Sequence, residues 1–362
     1  GQWHDEQTGP HFAALFDRFT SSPMTRFTAT NGVHMDGFAP QTLGEWVNFL
    51  SFYVAQDVPH IAPMIRTMFP IFMGDVFEAE LKLPEARFEH YDDFDEALAA
   101  YEAEGDLRVI FETGAADGVA PGAPQGTFEE RFSAWPIPET IAKRWYLQAD
   151  GSLGEALPGP DDGASSFEHD PLAADGVTLA SGSVDHLQPD YDYRQLIEGK
   201  AVSFLTAPID EDMVMVGHGS VDLWLKTTAP DNDADLEVSL TEVRPDGEES
   251  LVQNGWLRAS HRMLRDDATE LRPIKSHYEV DMLPLDPEAW NLTRVELMPF
   301  GHVFHAGSQL RLSIHTPGNN TARWRFLLLE YDTPPTHSIA HQQDVASSIA
   351  LPLIPNINVP TE

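Results

Sequence analysis

The sequence of 362 residues predicts two parts of different fold class. Apolar residues recur at helical spacing up to about residue 103, whereas short runs of alternating apolar and polar residues follow, separated by Gly, Pro and Asp. The first pattern is typical of amphipathic helices and the second of an all-β sandwich or jelly roll. We therefore predict a helix-rich domain over 1–103, a β domain over 104–358 and a tail at 359–362.

Three segments of the first part are predicted to be helical. Residues 10–19 can place their apolar side chains on one side of a short helix. Residues 42–55 carry an apolar stripe that is broad enough for a buried helix. Residues 92–104 are acidic and rich in Ala, and they begin with an Asp that can cap the first turn.

The second part is predicted to consist of short strands. They are residues 107–111, 145–147, 201–205, 214–216, 221–225, 236–240, 251–257, 277–282, 294–298, 309–314 and 324–329. Residues 114–126 and 157–166 are rich in Gly, Pro and Asp and are predicted to be loops within or at the edge of the β domain.

The charge of the chain limits its partners. The formal net charge is −36, from 58 acidic and 22 basic residues. A field of that sign repels phosphate backbones and anionic lipid, so we expect neither nucleic acid nor a membrane as a partner. The acidic residues are spread along the chain, which indicates a solubilising surface.

The cysteine count excludes Cys-based chemistry, and the hydropathy excludes a membrane-spanning helix. The chain has 0 Cys, so disulfides, thiolate metal sites and a Cys nucleophile are excluded. No apolar run reaches the roughly 18 residues that a membrane-spanning helix needs, because Pro63, Arg66 and Pro70 interrupt the nearest candidate. The chain opens at Gly1 without Met, and this leaves the compartment open.

One acidic and one basic residue near the start are candidates for catalysis. Asp5 lies in WHDEQTG and His34 in NGVHMDG, 29 residues apart with one helix-sized segment between them. In α/β-hydrolases the triad acid and base lie on loops after successive late strands. The His removes the proton of the nucleophile, and the carboxylate fixes the His tautomer and stabilises the imidazolium. The alternative is a turn Asp and one surface His among 15.

Longer stretches of sequence carry a family resemblance. They include the segments GQWHDEQTG and TNGVHMDG, the segment GEWVNFLSFYVA after them, and the run NGWLRAS at 254–260 followed by Arg262. Together with 107–111, 133–136, 144–153, 202–208, 217–225, 231–247 and 304–312, they resemble the cocaine esterase and X-Pro dipeptidyl-peptidase (CocE/NonD) family of serine hydrolases. The resemblance covers nearly the whole chain.

The resemblance implies a fold and a chemistry. It implies an α/β-hydrolase C-terminal fragment over 1–103, followed by an all-β jelly-roll (galactose-binding-like) β-sandwich over 104–358. By position Asp5 matches the triad acid of the family and His34 the triad base. Members hydrolyse small esters or peptide-like amides, including the bond after a penultimate proline. That chemistry needs no cofactor and no metal.

The nucleophile of the family has no counterpart in these residues. It lies in a G-x-S-x-G turn before the acid. No Ser in these residues has Gly both two positions before it and two positions after it. Ser220 has His218 two residues before it, and Ser152 has Asp150. The sequence thus resembles the C-terminal portion of a larger enzyme, without the N-terminal hydrolase segment that carries the serine and the oxyanion-hole donors. We expect the isolated chain to be inactive.

Two groups of residues resemble metal sites. Residues 231–242 have the first and twelfth acidic residues of an EF-hand, but Leu236 replaces the required Gly and the segment alternates as a strand. His302, His305 and His315 are close in sequence, and we expect no carboxylate or Cys partner to be arranged near them. We predict no metal at either place.

An apolar cluster follows His34 in the chain. Its members are Met64, Met68, Phe69, Phe72 and Met73. We predict that they pack in a core or at a domain interface. The alternative is that they line an acyl or leaving-group pocket, since Met surfaces adapt to varied ligands.

A second hypothesis of function belongs to another class. It is a non-catalytic jelly-roll module that binds carbohydrate or protein. A carbohydrate binder needs exposed aromatic rings on one sheet face, and Trp224, Trp256 and Trp324 lie in predicted strands. The sequence leaves the choice between ester and X-Pro amide, the compartment and the oligomeric state, a homo-oligomer included, open.

Overall fold

The computed structural model describes residues 1–5, 7–160, 163–173, 196, 198–318 and 326–360. Contacts within the chain divide it into two compact units. The first comprises Gly1–Pro138 together with 358–360, and the second is built from the described residues between 139 and 357.

The first unit combines helices with a small sheet. Its helical segments are a 3₁₀ helix at Pro10–Arg18, a 3₁₀ turn at His34–Phe38, α1 at Pro40–Leu50 with a π-helical turn at Ser51–Ala55, α2 at Pro63–Phe77 and α3 at Phe94–Glu102. The helices predicted over 10–19, 42–55 and 92–104 are confirmed, and Asp93 caps α3 by accepting a 3.0 Å hydrogen bond from the Glu96 N–H.

The sheet of the first unit is partly parallel. Its strands are β1 at Phe27–Thr30, β2 at Leu107–Phe111 and β3 at Phe128–Phe132. β1 pairs with β2 in parallel, and β2 pairs with β3 antiparallel. Residues 1–3 extend the parallel part beside β1, because Trp3 N–H donates to the Thr30 carbonyl and Thr30 N–H donates to the Gly1 carbonyl.

The second unit is all-β. Its strands are β4 at Ile141–Leu147, β5 at Ser152–Gly154, β6 at Ala164–Glu168, β7 at Ala201–Thr206, β8 at Met213–Thr227, β9 at Asp235–Val243, β10 at Glu249–Arg258, β11 at Asn291–Phe304, β12 at Gln309–His315, β13 at Thr336–Gln342, β14 at Val345–Ala346 and β15 at Ser348–Leu353. They pair in the order β10-β9-β12-β7-β5-β4-β15-β8-β13-β14, with β11 on β8 and β6 on β13. Short 3₁₀ turns lie at Ala259–His261 and Glu279–Asp281.

One apolar core holds the second unit together. Alternate side chains of β8, β9 and β12 are fully buried in it; they include Val221, Leu223, Leu225, Leu236, Val238, Leu240, Leu310, Leu312 and Ile314. Burial of each such side chain contributes roughly 1.5–3 kcal/mol, which explains why the alternation in the sequence is so regular. The predicted β-sandwich character is confirmed, while the jelly-roll connection order stays a prediction.

Several predicted strands differ from the observed ones. Residues 214–216 and 221–225 belong to a single strand, β8. The strand predicted at 277–282 is wrong: a 3₁₀ turn replaces it, and Tyr278 and Val280 are exposed, so that no apolar face is buried there. Of the strand predicted at 324–329, residues 324–325 lie outside the described residues and 326–329 form no strand.

The division of the chain also differs from the one expected. The predicted boundary follows residue 103, whereas the first compact unit extends to Pro138. The physical reason is the pairing of β2 and β3 with β1, which joins residues 107–132 to the first unit. Among the described residues, no helix is both long and apolar enough to cross a bilayer.

Candidate active site

The parallel pairing places Asp5 and His34 at the same edge of the first unit's sheet. Asp5 comes two residues after the segment 1–3, and His34 comes four residues after β1. The carboxyl ends of parallel neighbours meet at one sheet edge, where α/β proteins place their sites. Two residues that are 29 positions apart are therefore brought together.

The two side chains form a direct hydrogen bond. His34 Nδ1 lies 2.9 Å from Asp5 Oδ2. Asp5 is buried, while the His34 side chain is 37% exposed. The pair thus joins a sheltered carboxylate to an accessible imidazole through Nδ1.

Further hydrogen bonds hold the Asp5 carboxylate. Its Oδ1 accepts the N–H groups of Gln7 and Thr8, both at 2.8 Å. Burial acts to raise the pKa of Asp5, but the hydrogen bonds from Thr8, His34 and Gln7 outweigh it and hold the pKa below its ordinary value of 3.8. The carboxylate is therefore charged at neutral pH.

Aromatic packing fixes the segment before Asp5. Trp3 is fully buried and stacks on Phe12 at a ring-centroid distance of 4.8 Å. It also stacks on Trp135 at a ring-centroid distance of 6.3 Å. Offset aromatic contacts of this kind resist displacement of the backbone. Asp5 is thus anchored two residues after a rigid point.

The loop that carries His34 is held by neighbours which the sequence reasoning did not identify. Asp36 Oδ2 accepts the Val33 N–H at 2.9 Å, and Asn31 Oδ1 accepts the Thr113 N–H at 2.9 Å. The signal was present in the sequence, since Asn31 and Asp36 flank His34 and such residues often bond nearby backbone.

Gly32 is required for the close approach in this loop. A Cβ at this position would lie 2.8 Å from the Cβ and Cγ of Asp36. The buried Asp36 has little room to move, because its carboxylate already accepts the Val33 N–H. The glycine therefore lets the loop fold tightly in front of His34.

The apolar cluster after His34 divides between two sides of α2. Phe69 and Met73 pack inward against a small core that includes Met35, whereas Met64, Met68 and Phe72 are exposed. The predicted packing is confirmed for the inner two residues. A role in lining an acyl pocket stays a prediction.

The carboxylates of the segment resembling an EF-hand are each used separately. Asp235 pairs with Arg258 through two hydrogen bonds, of 2.7 and 3.0 Å. Asp233 Oδ1 accepts the Ser260 N–H at 2.8 Å, and Asp231 accepts the Tyr331 hydroxyl at 3.1 Å. Within the described ranges, no group of three or more His, Cys, Asp or Glu is arranged to hold a metal ion.

The three histidines near residue 305 are separately engaged as well. His302 Nε2 lies 3.1 Å from Glu242, and His305 lies 3.5 Å from Asp212. The expectation that no carboxylate is arranged near them is thus wrong, because the fold brings in residues that are distant in sequence. Burial acts to raise the pKa of Glu242, but His302, together with Ser308 and Arg244, lowers it to about 2. His315 is buried and bonds to Ser239.

The remaining candidate residues do not join the pair. Ser220 is buried and donates to Asp222 at 2.5 Å, and Ser152 donates to Asp150 at 2.6 Å. Trp224 and Trp256 are half-buried, and Trp324 lies outside the described residues. Neither of the two described rings offers the fully exposed face that sugar stacking uses.

Comparison with known sequences gives a family. The family described as the X-Pro dipeptidyl-peptidase C-terminal non-catalytic domain matches residues 101–328. "Putative serine esterase Mb1866c" from Mycobacterium bovis and "Putative serine esterase MT1883" from Mycobacterium tuberculosis are each 29% identical over 255 residues, 67% of this chain and 39% of the relative. The chain therefore spans about two fifths of the length of these relatives.

Comparison with solved structures gives the fold. A CocE/NonD family hydrolase from Staphylococcus aureus aligns with a TM-score of 0.63 and 18% identity over 96% of this chain and 53% of its own. An aminopeptidase from a marine sediment Thaumarchaeota archaeon aligns with a TM-score of 0.58 and 16% identity over 98% and 54%. An α-amino acid ester hydrolase aligns with a TM-score of 0.54 and 16% identity over 97% and 54%.

Proposed function

Because the chain belongs to the family of X-Pro dipeptidyl-peptidase C-terminal domains, and with it to the CocE/NonD serine hydrolases, we propose a function for its buried pair. Asp5 and His34 are the acid and the base of a Ser-His-Asp triad. The nucleophilic serine and the oxyanion-hole donors belong to a hydrolase segment that is not among residues 1–362. The observation that carries this proposal is the 2.9 Å hydrogen bond between His34 Nδ1 and the buried Asp5 carboxylate.

Each group has one step in the proposed mechanism. Asp5 accepts a hydrogen bond from the Nδ1–H group of His34, so Nε2 holds the lone pair that removes the proton of the serine hydroxyl. The serine oxygen then bonds to the substrate carbonyl carbon, and the imidazolium returns its proton to the leaving group. Water repeats the sequence on the acyl-enzyme. Asp5 stays charged throughout, in agreement with its lowered pKa, and stabilises the imidazolium.

The sheet of the first unit supports the proposal that this unit is part of an α/β-hydrolase domain. Segment 1–3, β1 and β2 run in parallel, and both candidate residues follow carboxyl ends in the chain order acid then base. This is the order in which α/β-hydrolases supply their acid and base. We propose that these strands are the last strands of an α/β-hydrolase sheet. The substrates are then small esters or X-Pro peptide-like amides.

The central test uses a reconstituted enzyme. The chain is joined to, or co-produced with, a polypeptide that supplies the G-x-S-x-G-bearing hydrolase segment, and p-nitrophenyl ester turnover is measured. We expect that the chain alone does not hydrolyse the ester and that the assembly does. His34→Ala should lower kcat in the assembly by roughly 10⁴, the usual loss for a triad base.

Two controls separate the role of His34 from general damage. His305 is an exposed histidine of the second unit, where it pairs with Asp212 of the same unit. His305→Ala should leave turnover unchanged. Near-normal activity of the His34→Ala assembly would remove His34 from the mechanism. Labelling of the chain alone by a serine-directed fluorophosphonate, together with ester turnover, would show that these residues contain a nucleophile.

A further inference from the structure

Helix α2 is apolar on two opposite sides. Its inner side buries Met73 and Phe77, which pack with Ala79 and Leu81. Its outer side carries a second row of large apolar side chains, here named the α2 stripe: Met64, Ile65, Met68, Ile71 and Phe72. These five side chains are between 51% and 77% exposed. Large apolar side chains on two opposite sides of a helix are typical of a position between two packed layers.

The spacing within the α2 stripe is that of a helix-packing seam. Met64, Met68 and Ile71 follow intervals of four and three residues, which keeps them on one face of the helix. The only basic residue of α2, Arg66, is turned away: its guanidinium donates to the Pro84 carbonyl at 3.0 Å and approaches Glu89. The five side chains of the stripe are uncharged, and Asp75, which is exposed four residues after Ile71, is the acidic residue on the same face of α2. Exposed patches of this kind mark interaction sites.

The position of α2 relates the stripe to the candidate active site. The inner side of α2 shares its small core with Met35, the residue directly after His34. A polypeptide that covers the outer side of α2 would therefore lie one helix layer from the loop that carries the base. Any polypeptide that presents a serine to His34 must approach this same unit.

We infer that the α2 stripe is the docking surface for the serine-bearing hydrolase segment. This inference rests on the proposed function and names the contact by which its missing component is held. The related mycobacterial esterases are more than twice as long as the region they share with this chain, so their sequences have room for a serine-bearing segment outside that region. The partner is defined by its chemistry: an apolar surface beside a G-x-S-x-G turn.

A second copy of the chain is the weaker occupant. Each copy carries a net charge of −36, and this repulsion opposes self-association. α2 has 15 residues, so one face of it is about 22 Å long and about 10 Å wide, and its area of about 220 Å² is well below the roughly 800 Å² per partner that stable dimers bury. A serine-bearing segment also contacts the site at His34, and this adds area that a second copy lacks.

The absence of cysteine makes a direct test possible. Met68→Cys places one thiol on the stripe, and Val280→Cys places one at an 89% exposed position of the second unit as a matched control. Maleimide labelling is followed for each variant alone and after addition of the serine-bearing polypeptide. We expect the Met68→Cys variant to react fast when alone and at least tenfold more slowly in the complex. The labelling rate of the Val280→Cys variant should be the same in both states.

Charge substitutions test the energetics of the same surface. Met68→Asp should weaken binding of the serine-bearing polypeptide at least tenfold, because it buries a carboxylate without a partner. Val280→Asp should leave binding unchanged. Circular dichroism verifies that both variants fold, which is expected since both side chains are exposed.

The outcomes distinguish this inference from the proposed function. Restored ester hydrolysis by a Met68→Cys assembly whose thiol is still fully reactive would overturn the docking surface and leave the triad assignment standing. No association and no activity would overturn both. A dimer of the chain alone that Met68→Asp converts to a monomer would assign the stripe to a second copy. Slow labelling of the Met68→Cys variant as a monomer, without the added polypeptide, would show that the chain itself covers the stripe.

Discussion

At the scale of single residues, the Asp5 carboxylate illustrates how burial and hydrogen bonding compete. Burial alone would favour the neutral acid, yet four hydrogen bonds from Thr8, His34 and Gln7, among them those of the Gln7 and Thr8 N–H groups, keep it charged. Its pKa is below the ordinary value, so its contribution to stability is present above about pH 3.8 and is lost as the pH falls through the folded pKa. The same bonds that orient His34 therefore also stabilise the loop.

Lys275 shows the opposite balance and gives a prediction at this scale. It is buried, and burial lowers its pKa from 10.5 to about 8, with Arg294 adding to the effect and Glu296 opposing it. The cost of burying the ammonium is full below pH 8 and disappears as the pH rises to 10.5. Lys275→Met should therefore raise the free energy of unfolding at pH 7 by about 1–3 kcal/mol.

The measurement for Lys275 is urea unfolding at two pH values. The gain from Lys275→Met should be present at pH 7 and small at pH 10.5, where the wild-type ammonium is largely neutral. Lys226→Met serves as the control, because Lys226 lies at the surface over the Trp290 ring. A destabilised Lys275→Met protein at pH 7 would show that the contacts of the ammonium outweigh its desolvation.

At the scale of elements, the loop between β1 and the His34 turn depends on Gly32. Gly32→Ala should destabilise the first unit by about 1–3 kcal/mol, because the new methyl group displaces the buried Asp36. Gly74→Ala is the matched control: nothing lies within 4 Å of its added Cβ, and α2 should gain about 0.5–1 kcal/mol. Equal thermal stabilities of the two variants would contradict this account.

The strands of the second unit bury histidines in their neutral form. Burial lowers the pKa of His315 on β12 and of His337 on β13 from 6.5 to about 4 in each case. The contribution of each histidine to the free energy of unfolding is therefore complete above pH 6.5. It is lost as the pH falls towards 4, by at most roughly 3 kcal/mol for each group. Chemical denaturation between pH 7.5 and pH 4 (a range set by these values) measures this loss.

A substitution identifies the histidines as its source. His315→Gln keeps a neutral side chain that can still bond to Ser239, so it should remove the share of the stability loss between pH 6.5 and 4 that His315 contributes, while the share of His337 remains. His60→Gln is the control, since His60 is largely exposed beside Glu89. An unchanged pH dependence in His315→Gln would assign the acid loss to other groups.

At the scale of the whole molecule, the net charge of −36 is the dominant feature. Mutual repulsion of the acidic residues opposes the compact state, and added salt shortens the screening length from about 10 Å at 0.1 M to about 3 Å at 1 M. Screening also weakens ion pairs such as that of Arg87 with Glu45, but the excess of like charges is larger. We expect NaCl to stabilise the protein.

The expected effect is a rise in Tm of roughly 5 °C or more between 0.05 and 2 M NaCl, the shift that 1–2 kcal/mol produces in a domain of this size. Sucrose at matched osmolality is the control, because it stabilises proteins by preferential exclusion from their surface and does not depend on their net charge. A Tm that falls with NaCl would show that the surface ion pairs outweigh the repulsion.

The sequence by itself determined the features that local patterns encode. Amphipathic spacing predicted the helices at 10–19, 42–55 and 92–104, and strict alternation predicted the β-sandwich, because a side chain's burial follows from the period of its element. Asp5 and His34 were identified from their spacing and from a family resemblance. The boundary after residue 103 stays a prediction: the family match begins at 101, whereas the first compact unit continues to Pro138.

Only the tertiary structure decided which distant residues meet. It set the parallel pairing that joins Asp5 to His34 at 2.9 Å, brought Glu242 to His302, and turned one apolar side of α2 outward. The period of a strand or helix says which side is apolar but not what lies against it. Strand pairing and long-range packing depend on the whole chain, and for that reason the contacts of the candidate site could not be derived from local sequence.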